Sequence, residues 1–112
     1  MSENLPEKKP MLLSVKELKK LHLELGKSWK ITSESHLEKP FLFGNIKDLF
    51  SFTEEAAKQI EKEHHELDFS IINHELVISL YTKSLNGLAK DDFLLAAKMD
   101  AIYTGKTGIV NS

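Results

Sequence analysis

The 112-residue chain contains no cysteine, only three prolines and only five glycines. Without cysteine it can form no disulfide, thiolate nucleophile or Cys-ligated metal site, and such a composition suits a reducing compartment. No apolar run approaches the roughly 18 residues of a transmembrane helix. The opening residues, MSENLPEKKP, also lack the apolar segment of a signal peptide. We therefore expect a cytoplasmic protein with no membrane partner.

Neither sign of charge dominates the sequence. Fifteen basic residues against seventeen acidic ones give a formal net charge of −2, and neither sign forms a patch suited to phosphates. We therefore expect no direct contact with nucleic acid. Hydrophobic residues make up 41% of the chain and charged residues 29%, which is typical of a globular protein with one core.

Hydrophobic periodicity divides the chain into seven elements. Apolar residues recur at helical spacing in three segments and form short, β-branched or aromatic runs in four others. The predicted order is a helix over 14–25, strands near 29–31 and 41–43 joined by a polar connection over 32–39, a helix opening at Asn45, strands over 69–72 and 76–80, and a helix from Asp91. Ser14 and Glu17 have the spacing of a capping box at the first helix. The apolar stripe of the second helix includes Phe50 and leaves Phe52 off its centre. This α-β-β-α-β-β-α order predicts an α+β fold in which a four-stranded antiparallel sheet carries the helices on one face.

Composition also suggests the domain boundaries. Residues 1–12 are polar and carry two prolines, so we expect a flexible N-terminal arm. Residues 13–104 form the single predicted domain. The glycine-containing end, TGKTGIVNS, predicts a flexible tail over 105–112.

Four segments of the chain, taken in order, resemble one known family. The segments FGNIKDLFSFTEEAAKQIEK, HHELDF, VISLYTK and NGLAKDD are similar to those of the pterin-4a-carbinolamine dehydratases, over roughly residues 29–100. The resemblance implies a pterin-dehydratase-like domain that acts on a reduced pterin. It would dehydrate 4a-hydroxytetrahydropterin to quinonoid dihydropterin in tetrahydrobiopterin recycling, without metal or cofactor, as a homodimer or homotetramer.

The family chemistry explains why its site uses histidine. Loss of the 4a-hydroxyl needs a proton donor at the leaving oxygen, and formation of the new C=N bond needs removal of a proton from N5. Imidazole, with a pKa of about 6.5, can do either near neutral pH. Family members carry His-His-Pro before an aromatic residue, Thr-His at the end of the last strand, and Gly-Leu-Thr-x-x-Asp opening the last helix.

This sequence departs from that pattern. In the ungapped register His65 takes the first histidine position, Glu66 the second, and Lys83 the third, while Asp92 keeps the family aspartate. A slip of one residue would instead place His64 and His65 on the pair. Leu67 and Ala89 replace the family proline and helix-capping Thr; the second change costs about 1 kcal/mol of helix-end stability.

The resemblance implies a role for each matching position. The catalytic candidates are His65 as the principal acid-base residue, Glu66 and Lys83 as altered partners, and Asp92. The substrate-binding candidates are His64, Phe69 and Thr82.

Two alternatives remain open at this point. Glu66 and Lys83 can transfer protons near neutral pH only if burial shifts their protonation equilibria; otherwise they form an ion pair and impair the enzyme. The second alternative is a non-catalytic interaction or assembly module that uses the same oligomeric scaffold.

Overall fold

The computed structural model describes residues 11–63 and 66–108 of the chain. Its elements follow the predicted order and confirm the α+β fold. They are α1 (Val15–Leu25), β1 (Lys30–Ile31), β2 (Leu37–Leu42), α2 (Ile46–Lys62), β3 (Leu67–Ile72), β4 (Glu75–Leu80), a 3₁₀ turn (Lys83–Leu85) and α3 (Lys90–Thr107). Within the described ranges, no helix is long and apolar enough to span a bilayer.

Local hydrogen bonds start and stop α1 where the sequence predicts. The hydroxyl of Ser14 accepts from the backbone N–H of Glu17 at 3.2 Å, and the Glu17 carboxylate accepts from the N–H of Ser14 at 3.0 Å. The hydrogen bond from the Ser14 backbone N–H, together with the Ser14 side chain, lowers the pKa of the Glu17 carboxyl. Gly26, at φ 112°, ends the helix in a conformation that only glycine adopts easily. The predicted capping box is confirmed.

The sheet is antiparallel throughout, with strand order β1-β2-β4-β3. β3 and β4 form a hairpin whose turn contains Asn73 in a left-handed conformation at φ 55°. Leu37 on β2 and Leu67 on β3 both lie opposite Leu80 on β4, which fixes the register across three strands. β2 begins at Leu37, within the segment predicted as a polar connection, because pairing with β4 extends it.

The helices cover one face of this sheet, as predicted. Because strand side chains alternate between faces, each central strand places three side chains toward the helices. All six are buried: Leu37, Lys39, Phe41, Leu76, Ile78 and Leu80. Buried residues of α2 and α3 join the same core, while β3 is an edge strand with its outer side unpaired.

The buried face of α2 is rotated from the stripe that periodicity indicated. That stripe included Phe50 and left Phe52 off centre, but Phe52 is fully buried and Phe50 is 57% exposed. Phe52 packs against Phe41 and Phe43 at ring-centroid distances of 5.0 and 5.3 Å. Aromatic contacts from β2 therefore decide which side of the helix faces the sheet.

A charged group lies inside this core. Lys39 is 3% exposed, and its ammonium is 2.6 Å from a carboxylate oxygen of Asp100 on α3. The indole N–H of Trp29 donates to the other Asp100 oxygen at 2.9 Å, and the ammonium lies 4.9 Å from the ring centroid of Phe41. The pair therefore joins β2 to α3 across the interior.

α3 continues past the expected start of the tail. It runs through Gly105 to Thr107 and ends where Gly108 adopts φ 77° and donates its N–H to the carbonyl of Thr104 at 2.8 Å. Thr107 donates its hydroxyl to the carbonyl of Tyr103, which supports this last turn. Residues 109–112 and 1–10 of the predicted tail and arm lie outside the described residues.

Replacing Asp100 by alanine should strongly destabilise the fold. The change leaves the Lys39 ammonium buried without its counterion and the Trp29 indole without its acceptor, so we expect a loss of about 3 kcal/mol in urea unfolding. Asp91→Ala is the matched control, because Asp91 is exposed on the same helix and should cost at most about 1 kcal/mol. Equal losses for the two variants would contradict the proposed role of the buried pair.

Because of the buried Tyr103, we expect the fold to lose stability at alkaline pH. Burial raises its pKa above the ordinary value of 10.0, although the hydrogen bond from its hydroxyl to the carbonyl of Leu42 opposes the shift. Because the folded pKa is the higher one, this stabilisation is complete below about pH 10 and is lost as pH rises through the folded pKa. Tyr103→Phe should cost about 1 kcal/mol at neutral pH and should reduce the loss above pH 10, measured by urea unfolding at several pH values. An unchanged alkaline slope would contradict this.

Candidate functional site

The loop after β4 brings Thr82, a predicted substrate-binding residue, close to the start of α3. The backbone N–H of Thr82 donates to the carbonyl of Gly87 at 3.0 Å, and the Thr82 carbonyl accepts from Leu85 at 3.1 Å. Asn86 closes the intervening turn in a left-handed conformation at φ 53°. The loop therefore returns the chain to Thr82 just before α3 begins.

Asp92 fastens the start of α3 to this loop. One of its carboxylate oxygens accepts from the Thr82 hydroxyl at 2.7 Å and from the backbone N–H of Ala89 at 2.8 Å. Ala89 has no side-chain acceptor to offer in return, so only half of a capping box forms. Asp92 is fully buried, and therefore it meets the loop rather than the solvent.

Glu66 and Lys83 also lie together, through a hydrogen bond to the backbone of Lys83. A carboxylate oxygen of Glu66 accepts from the backbone N–H of Lys83 at 2.9 Å. Both residues are exposed in the single chain. The fold of the single chain therefore does not bury either side chain.

The predicted histidine pair, His64 and His65, lies outside the described residues. The residue before them, Glu63, caps the end of α2 and is held firmly. Its carboxylate accepts from the side-chain amide of Gln59 at 2.7 Å and forms an ion pair with Lys98 on α3. The helix α3, whose first turn contains Asp92, therefore also contacts the end of α2 through Lys98.

Phe69 lies on β3, two residues beyond Leu67 and therefore about 7 Å further along the strand. It pairs with Ile78 and shares the helix-facing side of the sheet. It is 38% exposed, because β3 is at the edge and the helices cover it incompletely. Its ring is thus accessible to a ligand or to another subunit.

An aromatic stack beside the loop was not singled out from the sequence. His36 stacks on Tyr81 with ring centroids 4.2 Å apart, and the Tyr81 hydroxyl donates to Asp68 at 3.3 Å. Burial raises the pKa of Tyr81, and the carboxylates of Asp68 and Glu66 raise it further. Only the pairing of β2, β4 and β3 brings these residues together, so no local sequence signal could have identified them.

The start of the described chain covers the same loop. The backbone N–H of Leu13 donates to the carbonyl of Leu88 at 3.3 Å. A side-chain carbon of Leu12 lies 2.9 Å from where a Cβ on Gly87 would stand. Glycine therefore permits this close approach, and residues 12–13 pack directly against the loop that carries Thr82.

Comparisons with known proteins agree with this fold. The family model for pterin 4 alpha carbinolamine dehydratase matches residues 11–102. A protein from Alkaliphilus metalliredigens is 36% identical over 88 residues, covering 79% of each chain, and one from Prochlorococcus marinus subsp. pastoris is 33% identical, covering 85% of this chain and 97% of its own. Both are named "Putative pterin-4-alpha-carbinolamine dehydratase".

A solved structure from Brucella melitensis has the same fold, with a TM-score of 0.75 and 26% identity, and the match covers 81% of this chain and 97% of that one. That protein is named a transcriptional coactivator/pterin dehydratase. The chain described here belongs to the pterin-4a-carbinolamine dehydratase family.

Proposed function

We propose that the protein dehydrates a 4a-hydroxytetrahydropterin to quinonoid dihydropterin and water, the step that returns an oxidised pterin to tetrahydrobiopterin recycling. The C4a–O bond breaks as the leaving hydroxyl takes up a proton, and N5 loses its proton as the C4a=N5 bond forms. Two proton transfers therefore suffice. Family membership supports this assignment.

The observation that supports the proposal is a contact between two motif segments, the one that contains Glu66 and the one that contains Thr82 and Lys83. The hydrogen bond between Glu66 and the backbone of Lys83 joins the segment before β3 to the loop after β4. The hydrogen bond between Thr82 and Asp92 adds the start of α3. In this proposal His65 is the principal acid-base residue, directly before Glu66 in the sequence.

The proposed roles of the remaining residues follow from their positions. Glu66 and Lys83 are altered acid-base partners, and Asp92 orients the site, while His64, Phe69 and Thr82 contact the substrate. Because Glu66 and Lys83 are exposed in the single chain, we propose that they contribute less to proton transfer than histidines would. The enzyme would then be slower than a family member with three histidines.

We also propose that the chain forms a homodimer or homotetramer and is cytoplasmic. The unpaired edge of β3 supports assembly, since exposed backbone N–H and C=O groups pair readily with a second strand. Phe69 and Ile71, on the helix-facing side of that edge, are 38% and 46% exposed. Exposed apolar side chains beside an open edge are typical of an interface.

A non-catalytic assembly module is the second candidate function. The similar protein from Brucella melitensis favours it, because that protein is named a coactivator as well as a dehydratase. So does the exposure of Glu66 and Lys83, because two solvated charges are poor substitutes for two imidazoles near neutral pH. Such a module would assemble normally yet leave the spontaneous dehydration rate unchanged.

Replacing His65 by alanine should lower the dehydration rate by at least tenfold. Loss of a positioned acid-base group typically costs about 10² to 10⁴ in rate, and the lower end applies where the reaction also proceeds spontaneously. The measurement is the formation of quinonoid dihydropterin, followed by absorbance after subtraction of the uncatalysed rate. His74→Ala, in the exposed turn between β3 and β4, is the control and should retain the wild-type rate.

Two outcomes would count against catalysis by this site. A wild-type rate equal to the uncatalysed background would remove the enzyme proposal and leave the assembly module. Equal rates for His65→Ala and wild type, both above background, would remove His65 from the mechanism.

Replacing Ile71 by lysine should break the assembly. A charge on the helix-facing side of the edge would have to be desolvated in any interface that covers it. Light scattering after gel filtration should give an oligomer for wild type and a monomer for the variant. Ile72→Lys is the matched control, because Ile72 lies on the opposite face of β3. A monomeric wild type would refute the proposed assembly.

A further inference from the structure

The hydrogen-bonding groups around Thr82 are already committed to the protein. Its hydroxyl donates to Asp92 at 2.7 Å and its backbone N–H donates to Gly87 at 3.0 Å. The next backbone N–H, that of Lys83, donates to Glu66 at 2.9 Å. The Thr82 hydroxyl and the backbone N–H groups of Thr82 and Lys83 therefore all have acceptors within the fold.

The direction of the Thr82 hydroxyl follows from its partner. A hydroxyl has one hydrogen to donate and two lone pairs that accept, and the Thr82 hydroxyl donates to an Asp92 carboxylate oxygen that also accepts from the Ala89 N–H. The Thr82 hydrogen must therefore point at Asp92. Toward any other group, the partly buried Thr82 oxygen can therefore only accept a hydrogen bond.

Asp92 is placed to set this direction and not to meet a ligand. It is fully buried, and the oxygen that holds the Thr82 hydroxyl also accepts from the Ala89 N–H at the start of α3. Two hydrogen bonds to one carboxyl oxygen fix its position. Its effect can reach a ligand through Thr82.

We propose that Asp92 is a positioning residue that fixes the Thr82 hydroxyl as a donor to itself, so that Thr82 offers a ligand only an acceptor. The end of β4 then selects a ligand edge that carries an N–H or O–H donor. The Glu66 carboxylate, which accepts from the backbone N–H of Lys83, offers a second acceptor near Thr82. This inference rests on the proposed function and deepens the orienting role of Asp92 by naming the Thr82 hydroxyl as the group that it positions.

Three variants test the inference in the dehydration assay. Thr82→Val keeps the shape but loses the acceptor, so kcat/KM should fall by about tenfold, mainly through a higher KM. Thr82→Ser restores the hydroxyl and should recover kcat/KM to within about threefold of wild type. If Thr82→Ser were as impaired as Thr82→Val, the hydroxyl would not be the group that matters.

Asp92→Asn, the third variant, separates positioning from proton transfer. The amide oxygen of asparagine can still accept from Thr82 and Ala89, so a positioning role predicts a fall of less than about tenfold and an unchanged pH profile. A fall of about 100-fold or more, or loss of one limb of the pH profile, would show that Asp92 carries a proton and would overturn the inference.

A readout independent of activity distinguishes failure of the inference from failure of the proposed function. In the folded wild type the Thr82 hydroxyl proton should exchange slowly enough to be seen by NMR, and it should disappear in Asp92→Ala, whose folding is checked by circular dichroism. A fast-exchanging hydroxyl in wild type would overturn the inference even if the enzyme is active.

Binding of 7,8-dihydropterin, measured by calorimetry, completes the test if wild type gives no rate above background. Thr82→Val should then weaken binding about tenfold relative to wild type and Thr82→Ser. Equal affinities for Thr82→Val and wild type, or no binding to wild type, would overturn the proposal that Thr82 selects a ligand with an N–H or O–H donor.

Discussion

The hydrogen bonds of the buried Asp92 carboxylate hold together the parts of the chain on which the site depends. Through Thr82 they fix the end of the central strand β4, and through Ala89 they fix the start of α3. A buried carboxyl group is costly unless it forms hydrogen bonds, and one Asp92 oxygen accepts from both the Thr82 hydroxyl and the Ala89 N–H. The loop between these two points, which includes Lys83, is therefore held at both ends as well as by its own turn at Asn86.

A second buried charge determines how α3 lies on the sheet. The Lys39–Asp100 pair, with the Trp29 indole as a further donor, gives β2 and α3 a specific contact inside an otherwise apolar core. Apolar packing alone tolerates small sliding movements, whereas a buried ion pair is stable in only a narrow range of geometry. Because α3 also pairs with Glu63 through Lys98, one helix connects the core, the end of α2 and the loop after β4.

Replacing neutral rings with full charges changes what this site can do. Imidazole changes its protonation near neutral pH without help, whereas a carboxylate or an ammonium needs a desolvated environment to do so. Glu66 and Lys83 are exposed in the single chain. In the proposed enzyme, a bound substrate or a second subunit would have to supply the burial that the fold itself does not.

The sequence by itself determined the order of the elements, the antiparallel sheet with helices on one face, the caps at Ser14 and Asn45 and the family, because each depends on residues close in the chain or on motifs in order. Tertiary structure decided the rest. Phe52 rather than Phe50 is buried, β2 starts at Leu37, and Lys39 and Asp100 pair inside the core. The stack of His36 on Tyr81 and the hydrogen bond between Thr82 and Asp92 likewise form only when separate elements pack, since periodicity does not identify a residue's partner.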